Sequence, residues 1–347
     1  MTAIKEPAWN VVGILGAARG ARASADGPIG SEHLLAGITT ARGPAREALD
    51  GEGATRTVLM AVLRDRRGGD GDWGGSDDAG AAVASTDVLG EDGDRGIRLT
   101  GAAARALTAA MRQAQREDAP KFTAVHLLRA LLEEDNRAVE LLGACRVSPL
   151  TVRTRLDGGT AAGHDDLDPL LHPTREVLLG RGVYRHLPLW KRWMLTFAGV
   201  NWAARPAWWA AMETYEQARR LGCREPGTEH ILLAVLATHE LALRHPHLAK
   251  EAAPGDDSRY AGGELLAGLG IDHAAVHRAL TGGRVRLTAD ARPARAYLDA
   301  ATRPYATSPA GSCALPAADP GTGPLIEALL HDDTRARQLI DALTPGS

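Results

Sequence analysis

A short pattern returns four times along this chain, and it constrains the fold more than any other feature. Gly30-Ser31-Glu32-His33-Leu34-Leu35-Ala36, Phe122-Thr123-Ala124-Val125-His126-Leu127-Leu128 and Gly227-Thr228-Glu229-His230-Ile231-Leu232-Leu233-Ala234 share a small or hydroxyl residue, a histidine and an apolar run. A fourth copy lacks the histidine but aligns without a gap: Leu131-Leu132-Glu133-Glu134-Asp135-Asn136-Arg137-Ala138 against Leu329-Leu330-His331-Asp332-Asp333-Thr334-Arg335-Ala336. Self-similarity of this kind means a stacked or paired repeat.

Each unit reads as helices. Over 99–115, Ala103, Leu107, Ala110, Met111 and Ala114 fall at helical spacing, and Thr100 is placed to cap that helix. A second capped helix starts near Ser31, Thr123 or Thr228. A short helix follows, as in 137–142, and a last one closes the unit, as in 147–156 and again in 271–280. Alternating apolar and polar residues of useful length are lacking, so β structure is expected to be minor. The fold class is all-α.

The chain has 347 residues and 44% apolar residues, enough for two domains with their own cores. A net charge of −3 gives no overall basic field for nucleic acid, so none is expected as a partner. Cys145, Cys223 and Cys313 are scattered and form no CxxC pair, which argues against a disulfide framework or a zinc site and for a reducing compartment. The first ten residues hold no signal-like apolar run, and no apolar stretch reaches the roughly 18 residues of a span. Cytoplasmic localisation is the expectation, and membrane contact is not expected.

These motifs resemble the Clp amino-terminal domain family, the substrate- and adaptor-binding domain at the front of Clp unfoldases, the ClpC branch especially. The residues that carry the resemblance are Gly227-Thr228-Glu229-His230-Ile231-Leu232-Leu233 and Ser31-Glu32-His33-Leu34-Leu35, with the matching ends of each unit. The resemblance implies two tandem domains, each of two pseudo-symmetric four-helix repeats, the last repeat degenerate. Domain 1 covers 1–157, a linker covers 158–204, and domain 2 covers 205–347. Residues 68–96 hold eight acidic residues and one arginine among many glycines and read as a flexible, solvated loop within domain 1. Pro304, Pro309, Pro316, Pro320 and Pro324 suggest a shortened or looped final repeat.

The linker holds Trp190, Trp193 and Phe197 at i, i+3 and i+7, one helical face within a stretch containing five of the seven tryptophans. Three readings stay open for it: a connecting helix between the domains, a peptide-binding aromatic surface, or a membrane-interface helix flanked by Lys191, Arg192 and Arg205.

The chain lacks the chemistry of a motor or hydrolase. A phosphate loop needs glycines that let backbone amides wrap the phosphates and a lysine that reaches them, and this sequence has no Gly-Lys dipeptide. His239-Glu240 opens like a zinc-protease helix, but Leu243 stands where the second ligand belongs. His33, His126 and His230 share one repeat position and are read as bonding within their own repeats. No catalytic residue, metal or cofactor is expected.

In the resembled family, a glutamate at this motif position helps hold the guanidinium of a phosphorylated arginine on a client. Glu32 and Glu229 match it; Val125 and Gly323 stand at the paired positions, so each domain keeps at most one of two such sites. The expected function is a non-catalytic protein- or peptide-binding module, acting as adaptor, regulator or sequestering protein in Clp-dependent quality control. Its partners would be client segments and a separate Clp ATPase or adaptor. The alternative is a self-associating helical scaffold that has lost client binding.

Overall fold

The computed structural model describes residues 5–22, 27–68, 73, 74, 77, 79–94, 96–160, 166–249, 258–283, 285–302 and 319–344. Two compact units divide the chain, Met1–His164 and Asp165–Ser347. Regular structure among the described residues is helical apart from one small two-stranded ribbon.

The first unit contains two four-helix repeats in the same order. The first is α1 (Trp9–Ala21), α2 (Ser31–Ile38), α3 (Pro44–Gly51) and α4 (Arg56–Gly68). After the insertion come α6 (Gly101–Arg116), α7 (Ala124–Leu131), α8 (Arg137–Ala144) and α9 (Pro149–Leu156). The helix starts follow the sequence reading closely. Thr100 caps α6 by accepting from the Ala103 amide at 3.3 Å, and Asn136 caps α8 by accepting from Ala138 and Val139. Pro149 occupies the first turn of α9, where a missing N–H costs no helical bond.

α1 and α2 pack closely because Gly37 has no side chain. A β-carbon there would lie 2.5 Å from the Ile14 carbonyl oxygen. Ile14, Leu34, Leu35, Leu49, Leu59, Leu107, Met111, Phe122, Leu128 and Leu141 are fully buried in this unit.

Extended residues ahead of the helices exchange hydrogen bonds between the repeats. The Ala8 amide donates to the Phe122 carbonyl at 2.9 Å and the Phe122 amide to Glu6 at 3.1 Å. Reciprocally, Ile29 donates to Arg98 at 2.8 Å and Thr100 to Ile29 at 3.0 Å. The segment before the first helix of each repeat thus pairs with the segment before the second helix of the other, which is a pseudo-twofold relationship.

The insertion between the repeats departs from the expected flexible loop. Residues 79–94 form short elements: a 3₁₀ turn at Ala79–Ala81, β1 (Val83–Ala84), α5 (Ser85–Leu89) and a second 3₁₀ turn at Gly90–Asp92. β1 pairs antiparallel with β2 (Arg98–Leu99). Leu89 and Ile97 are buried, and Ser85 donates to the Asp94 carbonyl at 2.7 Å. Few apolar residues suffice here because neighbouring helices already supply a surface to bury them against. The remainder of 68–96 lies partly outside the described residues.

The second unit begins with α10 (His172–Leu178) and α11 (Leu189–Ala198). It continues with α12 (Pro206–Arg220), α13 (Thr228–Arg244), α14 (Pro246–Ala249), α15 (Ala261–Gly268) and α16 (His273–Thr281). α17 (Ala294–Thr302), α18 (Gly323–His331) and α19 (Arg335–Leu343) form the degenerate fourth repeat. One core that includes Ile231, Leu232, Leu236, Leu266, Tyr297, Ile326, Leu329 and Leu339 joins α12, α13 and α15 to α19. Pro324 lies in the first turn of α18, where it is tolerated. Pro304, Pro309, Pro316 and Cys313 lie outside the described residues.

Residues 166–204, read from sequence as part of a linker, are tied to this second unit. Thr174 donates to Glu213 at 2.7 Å, and the His186 amide donates to Glu216 at 2.8 Å. Asn201 donates to the Leu248 carbonyl at 2.7 Å, and the Tyr260 hydroxyl to Ala203 at 2.9 Å.

Candidate functional site: a glutamate at a helix N-terminus

The three histidines of the repeated motif share one role. Each sits at the third position of its helix and accepts the backbone N–H of the capping residue on Nδ1: Gly30 to His33 at 3.0 Å, Thr123 to His126 at 2.9 Å, Gly227 to His230 at 2.9 Å. This satisfies a donor that a helix start otherwise leaves open. The Nδ1 atoms are therefore unprotonated in this arrangement. Burial also holds His230 below the usual histidine range, against the opposing pull of Glu229.

The residue before each histidine carries the site. Glu32 and Glu229 are 3% and 5% exposed, at the second position of α2 and α13. Their carboxylates lie back over the capping glycines. A β-carbon on Gly30 or Gly227 would fall 2.2 Å from Oε2 of the glutamate two residues on. The glycine in the motif thus leaves room for the glutamate's rotamer, while its extended backbone, φ −90° at Gly30 and −99° at Gly227, is open to other residues.

Each glutamate is met by an arginine from the far repeat of its own unit. Arg335, first residue of α19, donates from Nη1 to Glu229 Oε1 at 3.0 Å. Arg137, first residue of α8, places Nη1 3.8 Å from Glu32 Oε1. An aspartate completes each arrangement, fully buried in the case of Asp77 and partly buried in the case of Asp290. Asp77 accepts from the Ser31 amide at 3.1 Å, from the Ser31 hydroxyl in a short bond, from Thr100 at 2.7 Å and from the Arg137 amide at 3.4 Å. Asp290 accepts from the Thr228 amide at 3.2 Å, its hydroxyl at 2.5 Å, and the Arg335 amide at 2.8 Å. The hydroxyls of Ser31 and Thr228 in turn accept from Ala138 and Ala336 at 3.1 and 3.0 Å. One aspartate therefore caps two helix starts, one from each repeat, and sets the arginine over the glutamate.

Electrostatics differ in detail at the first copy. Burial, reinforced by the charge on Asp77, pushes the Glu32 carboxyl up to about 7, with Arg137 pulling the other way. Trp73, from the insertion, lies under the guanidinium of Arg66 at 4.2 Å and near that of Arg137 at 5.5 Å. Arg66 itself is held by Glu140 at 2.6 Å.

The twofold-related places have lost both members of the pair. Val125 stands at the second position of α7, and Pro44 at the first position of α3, which packs against it. In the second unit Gly323 and Ala261 begin α18 and α15, and the Gly262 amide donates to Thr322 at 3.2 Å instead. Glutamate and arginine vanish together, as expected for residues that need one another.

The sequence pointed to Glu32 and Glu229 but not to Asp77, Asp290, Arg137 or Arg335. The ungapped match of Arg137 with Arg335 carries a usable signal for the arginines. The aromatic candidates lie apart from this site: Trp190 and Trp193 are exposed on α11, and the Phe197 side chain lies outside the described residues.

Fold and site together define an all-α repeat protein with charged helix-start clusters in each unit. Residues 98–181 match the family model of the Clp repeat (R) N-terminal domain. No curated protein matches the chain.

Proposed function

We propose that this chain is a non-catalytic protein-binding module related to the substrate- and adaptor-binding domain of Clp chaperones, serving as adaptor, regulator or sequestering protein. The reading rests above all on the match over 98–181 and on the site the two units share. A carboxylate fixed at a helix start, over a glycine, receives a planar guanidinium in both. Such a carboxylate suits arginine-bearing clients through charge-assisted hydrogen bonds. Arg137 and Arg335 occupy that place from within, so a client guanidinium binds by displacing them.

Internal pairing also favours a second reading, a helical scaffold whose glutamates only brace the repeats. Fluorescence anisotropy with labelled casein, arginine-phosphorylated and unmodified, separates the two. The module reading expects the full chain to bind phosphorylated casein, with weaker binding in Glu32→Ala/Glu229→Ala and tighter binding in Arg137→Ala/Arg335→Ala. Absence of binding by any folded form overturns it and leaves the scaffold.

A further inference from the structure

Between Glu176 and Glu213 the chain carries no acidic residue, while Arg181, Arg185, Lys191, Arg192 and Arg205 all fall in that stretch. It is fastened on both sides of α11. His186 is held by Glu216, whose carboxyl burial would raise but the His186 and Arg219 bonds hold at about 2. Beyond the helix, Asn201 and Ala203 are held by Leu248 and Tyr260.

α11 presents an apolar face to solvent between these anchors. Leu189, Trp190, Trp193 and Met194 are 77%, 62%, 66% and 50% exposed. At 100° per residue they share an arc of about 140°. Single exposed apolar residues are ordinary; a contiguous set with two tryptophans marks an interaction surface. Lys191 stands at the edge of the face, its ammonium 5.4 Å from the Trp190 ring, and Arg185 is exposed nearby in sequence.

We propose that α11 is an interfacial anchor that seats this protein on an anionic lipid surface. Trp190 and Trp193 enter the boundary between headgroups and acyl chains, where amphipathic rings are favoured, while Lys191 and Arg185 meet the phosphates. Charge selects this occupant. A second copy of the same face would bring basic residue against basic residue across a twofold contact, whereas anionic headgroups neutralise them. The helix lies on the surface: ten residues span about 15 Å, half the hydrocarbon thickness. No helix among the described residues is long and apolar enough to cross a membrane. The proposal does not depend on client binding.

Sedimentation of the full chain with phosphatidylcholine vesicles, with and without an equal share of phosphatidylglycerol, tests it. Binding is expected to the mixed vesicles, to weaken with salt, and to be quenched in tryptophan emission by brominated acyl chains. Trp190→Ser/Trp193→Ser is expected to weaken binding at least about tenfold, and Arg185→Glu/Lys191→Glu to weaken it on anionic vesicles. Circular dichroism should be unchanged in both, since these side chains are exposed. Failure of the full chain to sediment with anionic vesicles, or equal binding by the tryptophan variant, overturns the proposal. So does a dimer in analytical ultracentrifugation that the tryptophan variant alone abolishes, which would assign the face to a second copy.

Discussion

Arg335 and Glu229 lie 106 positions apart in sequence and 3.0 Å apart in space, each at the start of a helix. The equivalent Arg137 and Glu32 stand at 3.8 Å. The second unit's pair should therefore contribute more. Arg335→Ala leaves a buried carboxylate without its counter-charge and should destabilise by about 1–3 kcal/mol, with a smaller loss for Arg137→Ala. Urea unfolding of the full chain, followed by circular dichroism, checks the order.

Glu32 sets a pH dependence. Its carboxyl is raised from 4.5 to about 7 in the folded chain, so the folded state holds the proton more tightly. Stability should fall as pH rises from 4.5 to 7 and level off above that. Glu32→Gln removes this slope and should gain about 2–3 kcal/mol at pH 8. A variant whose unfolding free energy tracks wild type between pH 5 and 8 would contradict the assignment.

Two histidines of the second unit act in the opposite direction. Burial lowers His245 and His273 to about 4; His247 and Arg175 add to the effect at the first, and His277 at the second. Neither ring nitrogen of His273 has a hydrogen-bond partner among the described residues, and the ring stacks on His277. Asp168 and Asp272 raise it only partly against Arg220. Both groups bind protons more readily unfolded, so stability should drop as pH falls from 6.5 towards 4. His273→Leu should flatten part of this drop in thermal melts taken at pH 4.5 and 7.

Gly227→Ala should act through its neighbour. The backbone there, φ −99° and ψ 177°, suits alanine, but the new β-carbon collides with the Glu229 carboxylate. A loss of about 1–3 kcal/mol is expected in a background with Glu229 and most of it should disappear with Glu229→Ala. Additive losses in this cycle would show that the glycine does not act through Glu229.

Much of this organisation is legible in the sequence because helix starts are written locally. Thr100, Thr123, Ser31 and Thr228 stand at or next to the observed starts, and apolar spacing marks the buried faces. The site is only half legible. Glu32 and Glu229 sit inside the repeated motif, whereas Asp77 lies among glycines and aspartates that read as solvated spacer. Its role comes from tertiary placement: the insertion delivers it to two helix starts that no local pattern connects. The same holds for 166–204, whose attachments to Glu213, Glu216 and Leu248 are long-range hydrogen bonds.

The reciprocal bonds of Ala8 and Phe122 with Ile29 and Thr100 have a consequence for how such proteins diversify. A repeat that completes its partner's edge cannot be gained or lost alone, because its removal strips backbone bonds from what remains. The heritable module is the couple. Within a couple, one member is free to drift, as the glycine- and proline-marked fourth repeat has done, provided it keeps the contacts its companion needs. Lineages of such chains should grow by doubling whole units and specialise by eroding one half of each.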